Sequence, residues 1–165
     1  MQDRNGELED LYSKCRQQLF TCALVITGSP ARAEDAIHEA FCRVISSETE
    51  PQNLKAYVFK SVRNASLDQM RRLAAEPVAY PEMIFDVRPN PAHAAEEADF
   101  QQSIVELMKH LNTDEQETIV QHLYGELSFQ EIATIRGAPI GTIASWYRRG
   151  MEKLRRSLEV IHGPV

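Results

Sequence analysis

The stretch from Ser128 to Arg156 leaves few folds open. Ser128 can cap a helix, and Glu131, three residues on, can reach back to the Ser128 amide, which makes a reciprocal capping box. Phe129, Ile132, Ala133 and Ile135 then line one apolar face. Gly137 supplies the positive-φ residue that ends a helix, and Pro139 suits the first turn of the next. The spacing predicts a second helix running on to Leu158, with Ile140 and Ile143 turned to the core. Gly141, Thr142, Ala144, Ser145, Arg148 and Arg149 are left for its other faces. A short helix, a Gly turn and a helix with small polar residues early and arginines later is the pattern of a helix-turn-helix. Early Thr and Ser suit base edges and phosphates, and later Arg suits phosphate or guanine. The plainer alternative is a helical hairpin with a solvated basic face.

Charge decides how such a unit could work. The chain has 165 residues and a net charge of −6, an unusual balance for a nucleic-acid binder. The basic groups, however, are segregated into residues 54–72 and 136–156, and the rest of the chain is acidic. A chain of this kind binds free duplex weakly, because the electrostatic attraction behind non-specific affinity is largely cancelled. It calls for a carrier that supplies positive charge.

The other segments are helical or linking, and neither a strand pattern nor an internal repeat is present. Residues 7–27 have helical apolar spacing at Leu8, Leu11, Tyr12, Cys15, Leu19, Cys22, Ala23 and Ile26. Gly28 breaks the pattern, and Ser29 with Pro30 opens a second helix over 30–47. Its buried face is Ala33, Ala36, Ile37, Ala40, Phe41, Val44 and Ile45; Asp35, His38 and Glu39 form an acidic patch elsewhere on it. Taken alone, that patch is a solvated face. After a loop at 46–53, a third helix over 54–73 can turn Leu54, Val58, Val62, Ala65 and Leu73 inward. Lys55, Lys60, Arg63, Asn64, Arg71 and Arg72 can face out with Tyr57 and Phe59 among them, a mixture that suits unstacked bases. The alternative is that the two aromatics are core.

Residues 74–99 contain four prolines and read as a linker. Its 26 residues reach at most ~90 Å, and two DNA sites one to two helical turns apart lie ~35–70 Å apart. One chain can therefore hold both basic helices on one duplex. Helices at 100–111 (Ile104, Leu107, Met108 and Leu111 inward) and 114–123 (Ile119, Val120 and Leu123 inward) complete the chain, the latter opened by a capping box of Thr113 and Gln116. The expected fold is all-α: two small helical domains joined by a flexible linker, the C-terminal one containing the helix-turn-helix.

Several classes are excluded or disfavoured. No apolar run approaches the ~20 residues of a membrane span, and the acidic start is not a signal peptide. Cys15, Cys22 and Cys42 are odd in number and lack metal-site spacing, so they read as reduced, mostly buried thiols. The histidines do not cluster at ligand spacing, so no metal and no cofactor is expected. No nucleophile–base pair or phosphate loop supports an enzyme.

The chain resembles the extracytoplasmic-function (ECF) group of the sigma-70 family of RNA polymerase sigma factors. The resemblance rests on Ala33-Glu34-Asp35-Ala36-Ile37-His38-Glu39-Ala40-Phe41, on Tyr57 to Asp68 followed by Arg71-Arg72, and on Leu127 to Ala133 followed by Gly141-Thr142-Ile143 and Ser145. It implies region two over 1–73, a linker over 74–99 and region four over 100–165. It turns the acidic patch into a docking face, with Asp35, His38 and Glu39 on the β′ clamp helices of core RNA polymerase; the family usually has Gln at His38. It implies −10 contacts by Asn53, Tyr57, Lys60, Arg63, Asn64, Arg71 and Arg72, with Tyr57 where the family often has Trp. It implies −35 contacts by Arg136, Thr142, Ala144, Ser145, Arg148, Arg149 and Lys153. The β flap, promoter DNA and an anti-sigma factor are the other implied partners. A small-molecule substrate is not implied, and the protein is expected to be cytoplasmic and not membrane-embedded. Ala144 and Trp146 depart from the family, which usually has a basic residue and Arg there. Trp146 either packs inward or offers a thymine methyl an apolar contact. The competing reading is a stand-alone helix-turn-helix regulator that binds duplex without polymerase.

Overall fold

The computed structural model describes residues 2–75 and 106–163, and its elements there are all helical. The proline-rich stretch from 76 on, and the predicted helix at 100–111 up to residue 105, lie outside the described residues. Three helices make the N-terminal lobe: α1 (Gln2–Thr27), α2 (Pro30–Ser46) and α3 (Leu54–Ala75). The C-terminal lobe has α4 (Thr113–Ile119), a π-helical turn (Val120–Tyr124), α5 (Phe129–Arg136) and α6 (Ile140–His162).

Local chemistry sets most of these boundaries. The Ser29 hydroxyl accepts the Arg32 amide, and Pro30 takes the first turn of α2. The Asn53 side chain accepts the Ala56 amide at 3.0 Å and so caps α3. At the far end of α2, the Arg4 guanidinium donates to the carbonyls of Ser47 and Val44, satisfying acceptors that the helix cannot. Small side chains at Ala23, Ala33, Ala36, Ala40 and Ala65 are fully buried, which lets the three helices approach closely around Leu19, Val44, Val58 and Val62.

The C-terminal lobe departs from expectation in places. The cap of α4 is Asn112, one residue before the expected Thr113, and its box partner is Glu115 rather than Gln116. Asn is at least as good a cap as Thr, and the Gln116 amide instead donates to the carbonyls of Met108 and Leu111. The helix expected to run on to 123 widens at Val120, where the Gly125 amide bonds back to the Val120 carbonyl at 3.0 Å. The wider turn rotates the apolar register, so Leu123 is 50% exposed instead of inward. Ile140 is likewise 49% exposed, because at the first helical position it has no preceding turn to lie over. Ile45 is 56% exposed at the open end of the row Ile37, Phe41, Ile45 that faces α1. Of the cysteines, Cys15 and Cys22 are half-buried, but Cys42 is exposed, since it sits on the outer face of α2.

The helix-turn-helix forms as the sequence predicts. The Ser128–Glu131 capping box is complete, and Gly137 ends α5 at φ 61, in the left-handed region where a side chain would be strained. His122 locks the unit together: its Nδ1 lies 2.8 Å from the Leu127 carbonyl, and its ring packs on Phe129 (4.6 Å) and Tyr147 (5.0 Å). The two lobes share one buried core, running from Leu8 and Leu19 through Phe59 and Val62 to Leu127, Ile132 and Ile143. α1 packs on α4 and the π turn, and α3 packs on α5.

Candidate nucleic-acid interface and docking face

The recognition helix α6 buries Ile143 and Gly150 and turns Gly141, Arg148 and Arg149 to solvent, with Thr142, Ala144 and Ser145 half-exposed beside them. Arg148 has no ion-pair partner among the described residues, so its guanidinium is available. The other cations of the expected −35 set are less so. Lys153 lies 2.8 Å from the buried Glu115 carboxylate, and Arg149 lies 4.0 Å from it. Arg136 faces inward, against expectation: its side chain is 4% exposed. It pairs with Asp114 and Glu117 and lies 4.9 Å over the Trp146 ring. The physical reason is the acidic run Asp114-Glu115-Glu117 on α4, which draws in cations from the helices around it. Trp146 is half-buried against the core and carries Arg136 on its face. Further along, Glu152 pairs with Arg155 and Arg156 at 2.8 and 3.1 Å. A hydrogen bond from Arg155, above all, holds the Glu152 carboxyl below the usual carboxylate range.

On α3, Lys60, Asn64, Arg71 and Arg72 are exposed. Asn64 and Arg71 line a polar pocket of about 300 Å³ with Arg43, Leu67 and Asp68. Asp68 holds Arg43 and Arg71, each at 3.2 Å. Tyr57 is half-buried, its hydroxyl 3.4 Å from Ser47 Oγ in the preceding loop. Phe59 is core, at 2% exposure, so of the two aromatics only Tyr57 keeps a surface role. Asn53 and Arg63 are turned toward the C-terminal lobe and pair with Glu131 (2.7 Å) and Glu117 (2.6 Å).

On α2, Asp35 and His38 are exposed, but Glu39 is half-buried and pairs with Arg43 and with Arg72, the latter at 3.2 Å. Glu39 thus connects the acidic patch to the basic helix, a link that sequence spacing does not reveal. Next to the patch, α1 and α2 leave a groove of about 490 Å³, lined by the apolar Leu8, Tyr12, Ile37, Phe41 and Ile45 and by the polar Asn5, Glu9, Arg16, Glu34 and His38. Tyr12 meets Phe41 edge-on at 5.2 Å. Periodicity assigned these apolar residues to the core, so it could not show that part of the row stays open.

Two family regions match the chain and hold most of these residues: sigma-70 region 2 over residues 11–76 and sigma-70, region 4 over residues 101–154. The chain is also 27% identical over 175 residues to the ECF RNA polymerase sigma factor SigW of Bacillus subtilis (strain 168), covering 95% of this chain and 90% of that protein. The chain belongs to the ECF group of the sigma-70 family. A second relative is the ECF RNA polymerase sigma factor SigE of Mycolicibacterium smegmatis, 24% identical, with 89% of this sigma factor and 60% of that one aligned. In three dimensions it is similar to the sigma factor RpoE of Bartonella quintana, solved in complex with the anti-sigma factor NepR. That superposition has a TM-score of 0.68 at 25% identity and covers 97% of this chain and 99% of the other. Among the described residues, no helix of this sigma factor is long and apolar enough to cross a membrane.

Proposed function

We propose that this ECF sigma factor grips a promoter at two points while α2 holds it on core RNA polymerase. As a member of its family it binds the core enzyme and directs initiation at specific promoters. In the finer reading, α6 enters the major groove of the −35 element. Thr142, Ala144 and Ser145 lie toward the bases, and Arg148 and Arg149 contact phosphate or guanine. The 47–53 loop and α3 take the −10 element, with Tyr57 and Lys60 on the strand and Asn64 and Arg71 at the mouth of the polar pocket. Asn53, Arg63 and Arg72 join them once released from their carboxylate partners. Asp35, His38 and Glu39, with the adjoining groove, receive the β′ clamp helices, and the region-four lobe meets the β flap. Region two spans 1–73 and region four 100–165, with the acidic 74–99 stretch between them running through the polymerase interior. An anti-sigma factor controls access, and the protein works in the cytoplasm.

The observation that carries this reading is the pair of basic helical surfaces, α3 and α6, one in each family region of an otherwise acidic chain. The test is transcription from a genomic library by purified chain plus core polymerase. Initiation at a defined promoter set is expected, and no gain over core alone would sink the reading. The stand-alone regulator predicts tight duplex binding without polymerase, in the same buffer.

A further inference from the structure

Glu115 is an acid inside the C-terminal lobe, 1% exposed, and it lies beneath the recognition helix. Its two oxygens sit 3.0 and 2.8 Å from Lys153 Nζ, and Oε1 lies 4.0 Å from Arg149 Nε. Oε2 also accepts the Asn112 amide at 3.2 Å, and the Asn112 side chain accepts the Glu115 amide at 2.9 Å, so the carboxylate is fixed to its own helix start. Gly150 brings α6 and α4 close enough for these contacts. A Cβ there would come within 2.5 Å of Ile119 Cδ1 and 3.3 Å of Glu115 Cβ. Lys153 and Arg149 are one turn apart and share a flank of α6 with Trp146. Arg148 lies across the helix from Gly150, with no ion-pair partner among the described residues. The lobe thus holds two cations of α6 from below and leaves a third to solvent.

We propose that Glu115 is a positioning residue of the −35 contact: it keeps Lys153 off the DNA backbone and holds Arg149 by its Nε edge. The hold on Arg149 leaves its two terminal nitrogens for a base edge, where such a pair matches guanine O6 and N7. A lysine on phosphate strengthens binding to every sequence alike and carries no sequence information. Lys153 is 43% exposed, so on release it would reach solvent and backbone. Its departure would leave the buried Glu115 charge with only the looser Arg149, so an arriving phosphate does not draw it away readily. The contacts stand on geometry; the assignment to the −35 element rests on the reading of α6 given above.

The test is the salt dependence of DNA binding by the full chain, in two arms. In the first, the chain without polymerase is titrated onto a short random-sequence duplex at low ionic strength, read by fluorescence anisotropy. Glu115→Gln keeps the shape of the side chain and an oxygen for the Asn112 amide, and gives up the charge. It should steepen the fall of log affinity with log salt by about 0.9, the counterion of one more phosphate. Adding Lys153→Ala to that variant should restore the parent slope. Lys153→Ala alone should leave the slope unchanged, and it carries the arm if Glu115→Gln does not fold. Equal slopes in the parent and a folded Glu115→Gln chain would overturn the proposal, as would a slope that falls by about 1 in Lys153→Ala alone. In the second arm, holoenzyme is bound to a promoter from the transcription screen and to the same duplex with its upstream element scrambled. Glu115→Gln should lower the ratio of the two affinities by roughly fivefold or more, the lower end of what a bidentate base contact contributes. An unchanged ratio would overturn the hold on Arg149. A screen that yields no promoter would count against the −35 reading, while the first arm still decides whether Glu115 withholds Lys153.

Discussion

Arg136 and Arg148 show how little a residue's type says about its task. Both are arginines of the helix-turn-helix, and the resemblance assigns both to the −35 element. Arg136 is packed between two α4 carboxylates and the Trp146 ring, while Arg148 is solvent-facing with no ion-pair partner among the described residues. Arg148→Ala should therefore weaken holoenzyme binding to an upstream-element duplex by about 1–3 kcal/mol if it reads a guanine, with the melting temperature unchanged. Competition binding with single-base variants of the duplex checks this; unchanged affinity and selectivity would remove Arg148 from the interface. Arg136→Ala should do the reverse and destabilise the lobe by about 0.5–3 kcal/mol, since it empties the space over Trp146 and removes one of the two cations on buried Glu117, which keeps Arg63. The partner that reassigns Arg136, Asp114, stands 22 residues away in sequence. Periodicity reports which way a helix faces, not what waits opposite, so this residue's place was not legible while Gly141 and Arg148 were.

The helices themselves were legible wherever their ends are written locally. Ser29-Pro30 and Ser128–Glu131 fix two helix starts within three residues of chain, and the structure forms both caps as expected. The π turn was not legible, because it is fixed by tertiary fit: the Leu127 amide bonds to the Gln121 carbonyl, and Phe59 of the other lobe presses on Gly125. The Ser128 cap makes a prediction at this scale. Ser128→Ala should cost about 0.5–2 kcal/mol, read from chemical denaturation. Glu131, its partner, adds a pH dependence. Burial would raise its carboxyl, but bonds from the Ser128 amide, the Asn53 side chain and the Ser128 hydroxyl, with Lys55 nearby, hold it below the usual value. A carboxylate depressed on folding contributes its stability above the unfolded pKa of ~4.3 and loses it as pH falls through the lower folded value. Unfolding free energy measured from pH 6 down to 3 should therefore fall less steeply in Glu131→Gln than in the parent. Equal slopes would show that the depressed carboxyl is not part of the folded chain's acid sensitivity.

At the scale of the whole molecule, the net charge is −6, and among the described residues only Glu115 and Glu117 are buried acids. Carboxylates of α4 and α5 hold Arg63, Arg136, Lys153 and Asn53, and Glu39 holds Arg72. Part of the protein's positive charge is thus held by its own acids, while Arg148 and Lys60 stay exposed without an ion-pair partner among the described residues. The docking face carries the test at this scale. Asp35 is exposed and makes no ion pair among the described residues, so Asp35→Arg reverses charge on the surface, beside Arg32 and Arg72 at the edge of a shallow pocket. It should leave the far-UV spectrum unchanged, lower the melting temperature only slightly through repulsion from Arg32 and Arg72, and reduce capture of core polymerase on the tagged chain. Glu39→Arg differs, because it also repels Arg43 and Arg72 and loosens α2 from α3, so it should lower stability and polymerase capture together. Capture and melting measured in parallel separate the two. If Asp35→Arg captured polymerase as well as the parent, the acidic patch would return to being a solvated face, and the groove between α1 and α2 would have to carry the docking alone.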